Sequence, residues 1–180
     1  MKGIVFTSLN EMIIEKFGIE TWDQLINSLA LPSGGSYTAG GTYSDTEFQQ
    51  LVHTIAKMKN LKDSAFLESF GKYIFPVLSN KYPFFLKKGM SLKKFLKSID
   101  RTIHLEVEKL YPDEKLPSIT YEEPVSNQLI MLYRSHRKLC HFAIGLIHGA
   151  AQHFKKEITI NQTHCLLKND DHCRLEITFE

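Results

Sequence analysis

The sequence predicts an α+β fold, with a helical N-terminal lobe packed on a C-terminal α/β lobe that carries an antiparallel sheet. Three observations predict it. Apolar residues recur at helical spacing through the first two thirds of the chain. The last third turns to strand-like alternation, in Ile158 and Ile160 and again in Leu175, Ile177 and Phe179. Between the two styles lies 136–154, a stretch apolar nearly all round, which suits a helix buried on most sides.

In chain order, residues 3–17 set Ile4, Leu9, Met12, Ile13 and Phe17 among polar positions, and Gly18 stops that helix. Residues 21–30 repeat the pattern with Trp22, Leu25, Ile26 and Leu29, and Pro32 to Gly41 is a loop. Ser44 reads as an N-cap with Glu47 completing a capping box, and the helix that follows reaches about Lys59. Residues 62–80 form another, on Phe66, Phe70, Ile74, Val77 and Leu78, which Pro76 should bend or interrupt. Pro83 opens a short aromatic segment that Gly89 closes. Ser91 caps a long helix ending near Tyr111 and Pro112. Pro117 and Pro124 punctuate a loop; 127–134 reads as a buried strand. Residues 157–163 and 173–179 read as two more, with a hairpin turn at Asn169, Asp170 and Asp171.

Composition bounds the function. The chain has 180 residues and 43% hydrophobic content, enough for a sizeable core, and a formal charge of only +2 with both signs spread along it. That balance argues against a dedicated nucleic-acid or membrane-surface binder. No apolar run spans a bilayer, and the N-terminus lacks a signal peptide's apolar core. Three cysteines make no closed disulfide set, so a cytoplasmic location is expected. No phosphate loop, nucleophile motif or carboxylate pair in context points to an enzyme.

Two constellations carry chemistry. Tyr133, Ser135 and Arg137 are spaced by two, which puts three polar side chains on one side of an extended segment. They stand where a strand gives way to a helix, whose unpaired N–H groups and dipole favour an anion. Ser135 is a cap donor there, Arg137 a bidentate carboxylate binder and Tyr133 a further hydroxyl donor. The bland alternative is an N-capped helix with two solvated arginines. The greasy helix behind the clamp favours an acidic-tailed apolar ligand such as haem. The second constellation is His104. Leu92, Phe95, Leu96, Ile99, Ile103, Val107 and Leu110 form the apolar stripe of the 91–111 helix. At about 100° per residue, His104 falls roughly 110° from its centre, near Asp100, Glu108 and Tyr111. Periodicity alone makes it a rim or surface histidine, although imidazole is the commonest axial ligand of haem iron.

In order along the chain stand Met1-Lys2-Gly3-Ile4, Trp22, Phe70-Gly71, Ile103-His104-Leu105-Glu106-Val107, Leu116-Pro117, Tyr133-x-Ser135-x-Arg137 and Gly145-Leu146-Ile147-x-Gly149-Ala150-Ala151. Together they resemble the haem nitric-oxide/oxygen-binding (H-NOX) domain, related to the haem domain of soluble guanylate cyclase, over essentially the whole chain. The resemblance implies a single domain over 1–180: a helical lobe of about 1–60, a haem-enclosing lobe of about 61–180, and a sheet of about four strands. It implies haem b with His104 as the proximal iron ligand, Tyr133, Ser135 and Arg137 as the propionate clamp, and Pro117 pressing on the porphyrin. Dioxygen-binding members resemble one another in a distal tyrosine five residues after the clamp arginine. Here that residue is Phe142, and the distal lining expected around it is Val5, Leu9 and Leu146, none of them a donor. Nitric oxide and carbon monoxide are therefore the expected ligands, with dioxygen disfavoured. Nitric oxide bound opposite His104 would release the helix that carries it. With no effector domain in the sequence, the reader is expected on another chain: a histidine kinase of two-component signalling, or a cyclic-di-GMP synthase or phosphodiesterase.

Cys140, Cys165 and Cys173 with His164 and His172 suggest a zinc site, since three thiols and an imidazole suit tetrahedral zinc. Some family members resemble this, with a histidine three residues before the middle cysteine. That position here is Gln162, so His164 or His172 would have to serve. Adjacent residues of a strand point to opposite faces, which makes convergence of a Cys–His neighbour pair difficult. Buried reduced thiols are an equal alternative. A zinc-thiolate redox module acting on the same kind of partner is the competing function.

Overall fold

A computed structural model describes residues 1–112 and 115–180, with Leu110 through its backbone alone. Leu110's assignment to the apolar stripe thus lies outside the described residues. Four helices come first: α1 (Gly3–Phe17), α2 (Ile19–Asn27), α3 (Asp45–Met58) and α4 (Asp63–Lys81). A 3-10 turn at Pro83–Phe85 leads to α5 (Leu92–Ser98), a π-helical turn (Ile99–His104) and α6 (Leu105–Leu110). The remainder is β1 (Ser118–Glu122), β2 (Gln128–Arg134), α7 (Cys140–His153), β3 (Ile158–His164) and β4 (Cys173–Phe179). The four strands form one antiparallel sheet in the order β1-β2-β4-β3.

Two apolar clusters fill the molecule. One joins α1, α2, α3 and the first part of α4, around Phe6, Leu9, Phe48, Leu51 and Phe70. The other joins Phe75, α5, α7 and the inner sheet face, around Leu96, Met131, Ile147, Leu175 and Ile177. Leu146 packs against both. Helices α4 and α7 form the spine between them, and glycine permits their contact. A Cβ at Gly145 would stand 2.2 Å from the Glu68 carbonyl oxygen, and one at Gly71 2.4 Å from the Phe142 carbonyl oxygen. Any larger residue would push the two backbones apart.

Several local expectations change. Pro76 does not interrupt α4, which continues to Lys81; packing on α7 outweighs the missing hydrogen bond. Ser44 caps α3, accepting from the Thr46 amide at 3.1 Å, but Glu47 does not complete a capping box. Its buried carboxylate accepts hydrogen bonds from Ser33 and from Tyr37 instead, and so pins the 32–41 loop. Strand β1 occupies what reads in sequence as loop: Ile119 is buried and Tyr121 half-buried, but five residues between two prolines give too short an alternation to register. The uniform helix expected over 91–111 contains the π turn. Helix α7 starts at Cys140 rather than near 136, because Lys138 takes a positive φ of 52° and turns the chain before it.

Candidate functional site

The clamp residues alternate inward as their spacing predicts. Tyr133, Ser135 and Arg137 are buried or half-buried, and Arg134, His136 and Lys138 between them are exposed. The extended segment runs past the end of β2 into the turn before α7. Ser135 therefore caps that turn and not the helix, its hydroxyl accepting from the Arg137 amide at 3.2 Å. Tyr133 is fixed by register, opposite Ile119 on β1 and Cys173 on β4. Burial pushes its hydroxyl up to about 12 against the pull of the Ser135 hydrogen bond, so it remains a proton donor at neutral pH.

Arg137 is held from behind. Its Nε donates to Asp45 Oδ2 at 2.8 Å and its guanidinium to the Lys115 carbonyl at 2.8 Å. Asp45 also lies 3.2 Å from the N-terminal ammonium of Met1 and 3.3 Å from His136. Burial raises the Asp45 pKa, but Arg137 and the N-terminus outweigh it and hold the carboxyl below its usual range. Asp45 begins α3, so it ties the helical lobe to the clamp. No local pattern could reveal this, since the partners are 92 positions apart.

His104 closes the π turn with its side chain 18% exposed. Its Nδ1 is buried and lacks a hydrogen-bond partner among the described residues; Asp100 Oδ1 approaches only to 3.6 Å, beyond hydrogen-bond range. Asp100 instead accepts from the Ile119 amide at 2.9 Å, which fixes the π turn to β1. Burial lowers the His104 pKa, opposed by Asp100 and by the Pro117 carbonyl, so Pro117 sits beside the imidazole. A neutral, buried imidazole with an unpartnered nitrogen suits a metal ligand. Asp100 could have been found from its i,i+4 spacing to His104.

The four expected distal residues come together. Val5, Leu9, Phe142 and Leu146 belong to one apolar cluster, where Phe142 stacks on Phe70 at 5.2 Å and 26°. These features fit haem: an apolar wall, a half-buried imidazole whose Nδ1 is unpartnered among the described residues, and hydroxyl and guanidinium groups that alternate inward along one segment. A cleft of about 320 Å³ elsewhere, lined by Lys72, His148, Gln152, Lys156, Glu157 and Glu180, shares none of these residues.

The cysteine cluster is only partly as expected. The sulfurs of Cys140, Cys165 and Cys173 all lie within 4.8 Å of one another, with Cys140 and Cys165 at 3.7 Å. A hydrogen bond from Cys140 pulls the Cys173 thiol below its usual range, helped by the Leu166 amide at 3.3 Å; the same bond, with burial, raises Cys140. Among the described residues neither His164 nor His172 joins them. His164 is exposed at the end of β3, after a bulge between Gln162 and His164, and half-buried His172 precedes β4; their rings stack on each other at 5.4 Å. Gln162 instead faces inward, its Nε2 buried and unpartnered.

Comparison with known proteins agrees with this geometry. The sequence profile of the Haem-NO-binding family matches residues 2–162. An H-NOX protein from S. oneidensis, solved in the Fe(II)NO ligation state, superposes with a TM-score of 0.92 at 33% identity, covering 100% of this chain and 99% of that one. The Fe(II) unliganded H-NOX protein from K. algicida gives 0.89 at 32% identity, covering 100% and 97%. Soluble guanylate cyclase gcy-32 of Caenorhabditis elegans is 25% identical over 166 residues, 89% of this chain. The chain spans about a quarter of that cyclase's length, 24%. Among the described residues no helix is long and apolar enough to cross a membrane. With a matching profile over most of its length and solved relatives over all of it, the chain belongs to the Haem-NO-binding (H-NOX) family of haem-binding gas-sensor domains.

Proposed function

We propose that this chain senses nitric oxide, also takes carbon monoxide, discriminates against dioxygen, and regulates a separate signalling protein. A histidine kinase or a cyclic-di-GMP synthase or phosphodiesterase is the partner class. When bound, haem would supply a ferrous iron able to take a diatomic gas. His104 offers its neutral imidazole to the metal, Tyr133 and Ser135 donate hydroxyl protons to the acidic tails, and Arg137 neutralises them. Pro117, beside the His104 imidazole, would be placed to contact the group on that side. The π turn gives His104 a segment with an irregular hydrogen-bond ladder, the kind of element that has two arrangements for a partner to distinguish.

The observation that carries the selectivity is Phe142. Bound dioxygen gains from a hydrogen-bond donor, and Val5, Leu9, Phe142 and Leu146 offer none. Of the tyrosines in the same cluster, Tyr37 and Tyr73 give their hydroxyl protons to Glu47 and Glu15, and the Tyr43 hydroxyl lies against Thr38, accepting from its amide at 2.8 Å. Ferrous protein should show a new absorption band with nitric oxide and no stable dioxygen complex in air. Phe142→Tyr should raise dioxygen affinity about tenfold or more, one added hydrogen bond to a partial charge. A stable dioxygen complex of the unaltered protein would overturn the selectivity.

The converging thiols support a second reading, zinc held by Cys140, Cys165 and Cys173 without His164 or His172. Metal analysis should then find one zinc per chain, lost in Cys173→Ser.

A further inference from the structure

Whole-chain charge balance conceals a strongly one-sided segment. From Ser69 to Ile99 there is no aspartate or glutamate, and there are seven lysines. Lys93 and Lys97 share Glu123. Among the described residues Lys81, Lys87, Lys88 and Lys94, all exposed, have no ion-pair partner.

Along the chain these lysines bracket the most exposed large apolar side chain among the described residues. Phe84 is 63% exposed at the tip of the Pro83–Phe85 turn. Its ring is braced by Phe85 at 4.2 Å and by Tyr82 at 6.3 Å. Leu86 turns the other way and packs against the sheet-side cluster, as does Met90. The tip is therefore seated on the core while Phe84 itself is left in water.

We propose that this turn docks on an anionic lipid surface, with Phe84 entering the interface and Lys81, Lys87, Lys88 and Lys94 meeting the headgroups. Four exposed lysines without an ion-pair partner among the described residues accompany a single exposed apolar tip. A fluid anionic bilayer accommodates such a protrusion without a preformed pocket. An acidic protein would need a cleft shaped for it. The inference departs from the expectation drawn from net charge, which averages this face against acidic ones elsewhere. It stands apart from the gas reading: neither Phe84 nor these lysines belong to the haem site.

The test uses the purified haem-loaded protein, sedimented with phosphatidylcholine vesicles containing or lacking 30% phosphatidylglycerol, so about a third of headgroups are anionic. Binding should require the anionic lipid and weaken at high salt. Lys87→Glu with Lys88→Glu should cost about a hundredfold in partition, and Phe84→Ser about tenfold with every lysine intact. The haem absorption and melting temperature should be unchanged in both, since the altered side chains are exposed. In Phe84→Trp the new indole should shift to shorter emission wavelengths on anionic vesicles, against a native background of Trp22, which is 6% exposed. No sedimentation of the unaltered protein at low salt overturns the proposal. So does equal binding by Phe84→Ser. Capture on immobilised polyglutamate without vesicle binding also overturns it, in favour of an acidic protein.

Discussion

The clamp and the histidine helix relate to sequence in opposite ways. The clamp starts in extended backbone, and burial alternates with a period of two from Tyr133 to Arg137 even though the strand ends at Arg134 and a hydrogen-bonded turn follows from Ser135 to Lys138. Nothing inside five residues accumulates error. His104 lies twelve residues into its helix, counted from Leu92, after a π turn that breaks the α-helical period. Each residue of that turn rotates the chain less than the α-helical angle, so faces beyond it swing relative to the stripe set by Leu92, Phe95 and Leu96. The period that places those three correctly in the core makes His104 a rim residue, although it is 18% exposed with a buried ring nitrogen. A helical period predicts a face only as far as its hydrogen-bond ladder stays regular.

The comparison breaks most directly at the histidine. His104→Gly should abolish iron tethering: protein purified without imidazole should lose its haem absorption, and millimolar-range imidazole should restore it, as when a missing ligand is supplied in solution. Retention of the native spectrum without imidazole would show that another residue holds the iron. A sharper version leaves His104 in place and removes the irregularity. Deleting exposed Thr102 takes one residue from the π turn without touching the core. Haem content should fall nearly as far as in His104→Gly, with the far-ultraviolet circular dichroism little changed. Normal haem content would mean that the π turn does not set the histidine's direction.

The clamp should respond more mildly, because three residues share its work. Arg137→Ala removes a charge-assisted contact worth about 1.5–3 kcal/mol, so haem should transfer to an acceptor protein about tenfold faster or more. An unchanged transfer rate would leave Arg137 a structural role, in its contacts with Asp45 and the Lys115 carbonyl. Much of this was legible beforehand. The helical lobe, strands β2, β3 and β4, and the inward alternation of the clamp follow from residue patterns. What was not legible is long-range or irregular: β1, whose short alternation lies between prolines; the start of α7, delayed by the positive φ of Lys138; and the stacking of His164 on His172 apart from the thiols. That last follows a bulge between Gln162 and His164, which spacing does not reveal.

Asp45 is the extreme case, a residue that reads as the first turn of α3 and in fact joins Met1, His136 and Arg137. Its carboxyl is raised by burial and lowered further by Arg137 and the N-terminus, for a net value below the usual 3.8. The folded state therefore binds the Asp45 proton less tightly than the unfolded chain does. The stabilisation is complete above the ordinary aspartate value and disappears as pH falls through the lower folded value. Asp45→Asn should lower stability at pH 7 by at most about 1 kcal/mol, because the carboxylate is partly open to solvent. It should also flatten the acid limb. Between about pH 5 and pH 2 the melting temperature of the unaltered protein should fall further than that of the variant, and the two curves should converge at the acid end. Parallel curves would place the acid sensitivity in other carboxylates and reduce Asp45 to a helix-start residue, which is all that its sequence neighbourhood suggests. Convergence would show that the clamp's arginine is anchored by the opposite lobe of the molecule.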